Sequence, residues 1–241
     1  MDAQSFGTRY DVLLQQPRMR ALYGDSGYFN IGYWDADTPD LIAACDRMVD
    51  ELASALPDDP GFIVDMGCGV GGGTRRLARR FPDAMVLGAN ISHWQLVQAQ
   101  QRGVTGVVMD ATRLAIASGS ADAVIAVESP QCFNTRADFF AEAFRILRPG
   151  GVLAVADMLF GDTEPTGSWM HPPVNHVASL DHYGAQMIDA GFELVSLRDI
   201  AGVSWKCFCA AMRTVFPGRE FRVDEIERSL DFYVIAVARK P

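Results

Sequence analysis

Phe62-Ile63-Val64-Asp65-Met66-Gly67-Cys68-Gly69-Val70-Gly71-Gly72-Gly73-Thr74 decides how this chain reads. An apolar run ends on an acid, passes through a glycine-packed turn and enters a helix start at Thr74. In α/β proteins that order brings bare backbone up against a nucleotide-like ligand. Gly67-x-Gly69-x-x-Gly72 satisfies the dinucleotide spacing, a weak signal when taken alone. Two details argue against a pyrophosphate. The acid expected about twenty residues on, for the ribose hydroxyls, is missing, because the next apolar run ends Leu87-Gly88-Ala89-Asn90. Asp65 also stands at the mouth of the turn, where a pyrophosphate is repelled and an ammonium or sulfonium attracted.

Outward from this stretch, the rhythm is strand and helix in alternation. A strand at 61–66 is followed by a basic helix at 74–81 and a strand at 84–90. Ser92 caps a helix running to about 102, and strands follow at 106–110 and 121–127. A helix at 136–147 stops at Arg148-Pro149-Gly150-Gly151 and leads into a strand at 152–158. The strands are continuous apolar runs, the pattern of a parallel sheet covered on both faces. Residues 1–36 read as irregular and aromatic, with Tyr10, Tyr23, Tyr28, Phe29, Tyr33 and Trp34. Thr38, with Pro39 in the first turn, opens a helix to about Leu56 that gathers Leu41, Ile42, Cys45, Met48, Val49 and Leu52 on one face. Past the fifth strand, 160–177 is rich in Gly, Pro and His and reads as a lid. A helix at 180–190, a strand at 192–200, a helix at 203–216, a charged loop and a strand at 229–238 complete the chain.

The expected fold is α/β. It is a doubly wound seven-stranded sheet, mostly parallel with an antiparallel last strand, an N-terminal helical cover and a small lid insertion. One domain is expected: 1–56 as the cover, 61–158 as the ligand-binding core, 159–180 as the lid, and 181–241 completing the sheet and the substrate pocket.

With 241 residues, 49% of them apolar, the chain can bury a large core. Its formal charge of −9 argues against nucleic acid or an anionic membrane as partner. No apolar run reaches the roughly eighteen residues of a membrane span, and no basic-then-apolar leader opens the chain, so a cytoplasmic protein is expected. The five cysteines, Cys45, Cys68, Cys132, Cys207 and Cys209, are odd in number and scattered. They form no disulfide framework, and Cys207-Phe208-Cys209 lacks the second pair a zinc site needs. Free thiols and no metal are expected.

Polar residues recur where a parallel sheet presents ligand groups, at the strand ends: Asp65, Asn90, Asp110 and Glu128-Ser129. Together with the glycine turn they carry a resemblance. Val64-Asp65-Met66-Gly67-Cys68-Gly69-Val70-Gly71, Asp110-Ala111-Thr112 and Leu147-Arg148-Pro149-Gly150-Gly151 resemble, in order and spacing, the motifs of class I S-adenosylmethionine-dependent methyltransferases. Gly27-Tyr28-Phe29-Asn30-Ile31-Gly32-Tyr33-Trp34 is similar to a segment of natural-product and cyclopropane-synthase-like members that covers the methionine end of the cofactor. The resemblance spans residues 20–160.

It implies methyl transfer from S-adenosylmethionine to a small molecule, on O, N or C, in secondary metabolism such as antibiotic biosynthesis. S-adenosylhomocysteine would be the product, and the enzyme a monomer or homodimer. It further implies that Asp65, Gly67 and Gly69 hold the amino-acid end of the cofactor while Phe29 and Asn30 close over it. Asn90, Ile91 and Gln95 would surround ribose and adenine, Asp110 and Ala111 the adenine edge, and Glu128 and Ser129 the floor beneath the sulfonium. For a general base the expectation falls on His171 or His176, because histidine titrates near neutral pH. Tyr28, Tyr33, Trp169 and Trp205 are the expected aromatic frame of the acceptor. Two rivals stay open: a protein of this fold that binds the cofactor without methylating, as cyclase or sensor, and a nicotinamide-dependent oxidoreductase. Asn90 and Asp65 speak against the second.

Overall fold

Phe62–Met66 (β1) is apolar on both faces apart from Asp65 and lies inside a sheet. It pairs in parallel with Met85–Asn90 (β2) on one side and Ala121–Val127 (β4) on the other, so that Asp65 stands opposite both Gly88 and Ile125. The structure, a computed structural model, describes residues 3–161, 172–215, 218 and 220–241. With Gly106–Val108 (β3), Leu147–Phe160 (β5), Glu193–Asp199 (β6) and Leu230–Arg239 (β7), the sheet has seven strands in the order β3-β2-β1-β4-β5-β7-β6. The order reverses between β1 and β4, and the crevice beyond the carboxyl ends of strands at such a point is where α/β sheets take ligands. β7 runs antiparallel to both of its neighbours. It lies between β5 and β6, so the edge strand is β6 and the chain's last strand is interior.

Alternate residues of β1 enter different cores. Ile63 joins Met48, Val49, Leu52 and Leu77 on one face. Val64 and Met66 join Phe139, Phe140, Ile146, Tyr183 and Met187 on the other. Burying a side chain of this kind contributes on the order of 1.5–3 kcal/mol. The first face is covered by Leu41–Ala53 (α3) and Gly72–Arg80 (α4), the second by Arg136–Ile146 (α6) and Leu180–Asp189 (α7).

The structure corrects several local expectations. Residues 1–36 are not irregular throughout: Ala3–Leu14 (α1) and Pro17–Tyr23 (α2) are helices. α3 is capped by Asp40, whose carboxylate accepts from the amide of Ala43 at 2.9 Å, and not by Thr38. Asp40 stands directly before the first turn and takes the cap, while the Thr38 hydroxyl closes a separate turn on Asp35 at 2.7 Å. On the basic helix α4, Arg76 reaches Asp50 at 2.5 Å and Asp46 at 3.5 Å on α3. The charged loop before the last strand contains the helix Glu220–Glu227 (α9). It is tied to Trp205–Val215 (α8) by Arg213, which bridges Asp224 and Glu227.

Behind the crevice lies a fully buried ion pair. Arg136 Nε donates to Asp157 at 2.7 Å, and Tyr183 Oη donates to the same carboxylate at 3.1 Å. Asn175, in the 3-10 turn Pro173–Asn175, accepts from the Arg136 amide at 2.7 Å. Its Nδ2 donates to the carbonyls of Pro130 and Gln131 at 2.8 and 3.0 Å. One charged pair thus locks the 3-10 turn Pro130–Cys132, β5, α6 and residues 172–177 to each other. The five cysteines form no disulfide among the described residues. Among the described residues no helix is long and apolar enough to cross a membrane.

Candidate active site

The loop after β1 is held open for a ligand by glycine. Gly67 has φ +71°, and a Cβ there would stand 2.3 Å from Cβ of Ser129, so only a bare backbone lets this turn lie against the end of β4. Its amide and that of Cys68 both donate to the Ala89 carbonyl, at 2.8 and 3.1 Å, which fixes the turn on β2. Gly72, at the start of α4, donates its amide to the Gly27 carbonyl at 2.9 Å and so seats residues 27–31 over the turn.

Asp65 is buried beneath this loop. Its Oδ2 accepts from Thr74 Oγ1 at 2.6 Å, and burial pushes its carboxyl up to about 6. Just past the end of β4, Glu128 holds φ +49°, the only non-glycine residue in the left-handed region among those described. Such a backbone costs on the order of 1–3 kcal/mol and persists only where surroundings enforce it. They do here: Glu128 Oε1 accepts from the amide of Ile31 at 2.8 Å and from Tyr233 Oη at 2.5 Å. Burial pushes this carboxyl up to about 7 despite those donors. Neighbouring Ser129 donates its hydroxyl to the Met66 carbonyl at 2.8 Å, joining the ends of β1 and β4.

Farther along, Asn90 Nδ2 donates to Gln95 Oε1 at 2.9 Å, and Asn90 Oδ1 accepts from the Ser92 amide at 3.1 Å. Ser92 caps His93–Gln101 (α5) through its hydroxyl. Asp110 Oδ1 accepts from both the amide and the hydroxyl of Thr112, at 2.9 and 2.8 Å, which turns the chain directly after β3.

These groups line one cavity that opens to solvent. Every residue that the sequence assigned to the cofactor lines it: Phe29, Asn30, Asp65, Gly67, Gly69, Asn90, Ile91, Gln95, Asp110, Ala111, Glu128 and Ser129. Tyr28 lines it too, its hydroxyl bonded to Asp46. The other expectations are not brought together there. Tyr33 packs against the core beside α3, with its amide on the Ala44 carbonyl at 2.9 Å. Trp205 is core: its indole N–H donates to the Glu227 carbonyl at 3.0 Å and its ring meets Phe160 edge-on. A large aromatic satisfies core and pocket alike, and its polar end found a backbone partner on α9. His176 is exposed and is not among the lining residues. His171 and Trp169 lie outside the described residues.

Sequence reading missed the wall that α1 supplies, Gly7, Tyr10 and Leu14, and the contribution of Cys132, which ends the 3-10 turn Pro130–Cys132, and of Asn134 beyond it. Tyr10 Oη accepts from Cys132 Sγ at 3.3 Å, and its ring meets Phe29 at 90°. Burial pushes the Cys132 thiol up to about 12, so it stays neutral. A glycine in mid-helix is the one signal of this wall in the sequence. A Cβ on Gly7 would lie 3.1 Å from Ile91 Cγ2, so its absence lets α1 close on the strand ends.

The lining suits an adenosyl sulfonium. Its carboxyls, Asp65, Asp110 and Glu128, are spread along the cavity with the amide of Asn90 between, and no Lys, Arg or His lines it among the described residues. No metal-binding group of three His, Cys, Asp or Glu side chains is found among them either.

Comparisons with known proteins agree. A methyltransferase-domain family matches residues 64–155. The 27-O-demethylrifamycin SV methyltransferase of Amycolatopsis mediterranei is 34% identical over 87% of this chain and 89% of its own length. The erythromycin 3''-O-methyltransferase of Saccharopolyspora erythraea is 28% identical over 75% of this chain and 68% of its own. Among solved structures, the cyclase SpnF superposes with a TM-score of 0.83 at 24% identity, covering 100% of this chain and 97% of that one. Geranyl diphosphate C-methyltransferase from Streptomyces coelicolor A3(2), with S-adenosyl-L-homocysteine bound, gives 0.81 at 19%, covering 100% and 98%. The chain belongs to the class I S-adenosylmethionine-dependent methyltransferases and is an enzyme that methylates small molecules.

Proposed function

We propose that this enzyme methylates a hydroxyl oxygen of an uncharged, largely apolar natural product, and that Glu128 takes the hydroxyl proton. The observation that carries this is the Glu128 carboxyl in a cavity whose described lining holds no histidine and no cation. A base works best with a pKa near the working pH, and burial brings Glu128 to about 7. Both of its intramolecular bonds fall on Oε1, which leaves Oε2 to meet the acceptor. This moves the role of base from His171 and His176 to Glu128.

S-adenosylmethionine supplies an electrophilic methyl group on sulfur. The acceptor oxygen forms a bond to the methyl carbon as the carbon–sulfur bond breaks, and the hydroxyl proton passes to Glu128. Asp65, anchored to Thr74 at the start of α4, would hold the cofactor's ammonium, and Asn90 and Asp110 would hold the ribose hydroxyls and the adenine amine. Phe29 and Tyr10, whose rings meet edge-on, line the acceptor side with apolar surface. The aromatic wall of Tyr10, Phe29 and Phe133 favours an apolar acceptor. The carboxyls oppose an anionic one, so a diphosphate of the kind carried by the Streptomyces coelicolor structure's ligand is disfavoured here. The O-methylation named for the rifamycin and erythromycin relatives supports the choice of oxygen.

The test is turnover of S-adenosylmethionine against a panel of hydroxylated macrolides and ansamycins, with geranyl diphosphate in parallel. An O-methyl ether identified by NMR is the expected product. A C-methylated product, or turnover of the diphosphate, contradicts the proposal.

A further inference from the structure

α1 lays one face across the cavity, with Gly7, Tyr10 and Leu14 on it, and carries Asp11 beside them. Asp11 Oδ1 accepts two hydrogen bonds, from Ser92 Oγ at 2.7 Å and from Gln95 Nε2 at 2.7 Å. The partners lie 81 and 84 positions away in sequence and sit where β2 passes into α5. Nothing in the mechanism above uses this acid.

Its consequence is directional. An ionised carboxylate only accepts, so the Gln95 amide must turn its NH2 toward Asp11 and its carbonyl toward Asn90. The Gln95 carbonyl in turn requires the NH2 of Asn90, at 2.9 Å. The Asn90 carbonyl is thereby turned the other way. One of its lone pairs is taken by the Ser92 amide at 3.1 Å, and the second remains for a hydroxyl. Without Asp11 the Gln95 amide can rotate by 180° and set its NH2 against that of Asn90, so the orientation of Asn90 is left to the Ser92 amide at 3.1 Å and to the Gly69 carbonyl facing Nδ2 at 3.5 Å.

We propose that Asp11 is a positioning residue for the cofactor's ribose. From the N-terminal helix, through Gln95, it fixes Asn90 as an acceptor. The relay rests on the S-adenosylmethionine site described above and deepens it. It also links the two ends of the cavity, because the helix that delivers Asp11 delivers Tyr10 to Cys132 at the acceptor wall. A cofactor that engages Asn90 thus favours the docked helix and a finished acceptor pocket.

The test is a double-mutant cycle read by calorimetric binding of S-adenosylhomocysteine. Asp11→Ala is expected to weaken binding at least tenfold, with an unchanged circular dichroism spectrum. Gln95→Glu, which sets two carboxylates against each other, is expected to do the same. Asn90→Asp separates positioning from mere support. In the Asp11→Ala background a carboxylate at 90 needs no orienting, and binding is expected to recover to within about threefold of wild type. In the wild-type background the same change faces the Gln95 carbonyl and is expected to weaken binding at least fivefold. An analogue lacking the ribose hydroxyls is expected to bind wild type and Asp11→Ala alike. Equal loss of both ligands in Asp11→Ala, or an Asn90→Asp effect of the same sign in both backgrounds, overturns the relay. Failure of the wild-type enzyme to bind S-adenosylhomocysteine would instead overturn the cofactor site itself.

Discussion

Asp65, buried, and Glu128, partly buried, are two carboxyls at the ends of adjacent parallel strands, and their supports differ. Asp65 sits in regular strand and is held by Thr74, nine residues on, across a single loop. Glu128 sits in a left-handed turn and is held by Ile31 of the cover and Tyr233 of β7, 97 and 105 positions away. One wall of the cavity is therefore a local product of strand, turn and helix. The other exists only after the N-terminal cover, β4 and the last strand have met. The difference teaches that binding the methyl donor and placing the base are separable, because different parts of the chain build them.

The largest effect is expected on the local wall. Gly67→Val drives a side chain into Ser129 at a backbone angle that valine resists. Cofactor binding measured by calorimetry is expected to fall by more than about a hundredfold, since a displacement near 1 Å at such a site has effects of that order. Binding near the wild-type value would erase the distinction between the two walls.

Next comes the ion pair that braces the assembled wall. Arg136→Met strands Asp157 in the core, and loss of one partner of a buried pair costs about 3–5 kcal/mol. Urea unfolding is expected to show that loss, and limited proteolysis to cut first near residues 172–177, which lose the bond from the Arg136 guanidinium to the Asn175 carbonyl. A loss below about 1 kcal/mol would mean the distant wall does not depend on this brace.

Titration sharpens the comparison further. Burial raises Glu128 from an unfolded value of 4.5 to about 7 in the folded protein. Between those values the unfolded chain has released a proton that the folded protein keeps, so this group favours folding at low pH and ceases to do so as pH rises toward 7. The stability advantage of Glu128→Gln over wild type is therefore expected to grow from pH 4.5 to 7 and then level off. A constant difference across that range contradicts a raised folded value. The smallest effect belongs to Tyr233→Phe. Its hydroxyl lowers the Glu128 value, so its removal is expected to move the acidic limb of the kcat/KM profile to higher pH, with a rate loss of about tenfold at pH 7. An unmoved limb would exclude Tyr233 as support for the base.

The local wall was legible in the sequence, and the distant one only in part. Continuous apolar runs broken by glycine mark β1 through β5, and polar residues at consecutive strand ends mark Asp65, Asn90, Asp110 and Glu128. Each signal lies within a short stretch of chain. What stayed hidden depends on pairings between remote segments. Nothing near Leu230 says that β7 inserts between β5 and β6, and nothing near Asp11 says that it meets Gln95. Trp205 could not be told from a pocket aromatic, because its burial depends on α9 arriving with a free carbonyl. The histidines drew attention through their intrinsic pKa, whereas the structure gives Glu128 a comparable value by burying it, which no residue type announces.

The most direct test of the central claim compares turnover and binding in Glu128→Gln. The amide still accepts from Ile31 and Tyr233 but cannot take a proton. Positioned proton transfer typically contributes about 10²–10⁴-fold, so kcat is expected to fall by that factor while the Kd for S-adenosylhomocysteine stays within about threefold of wild type. Undiminished kcat, or loss of binding in step with activity, would contradict the assignment of Glu128 as the base.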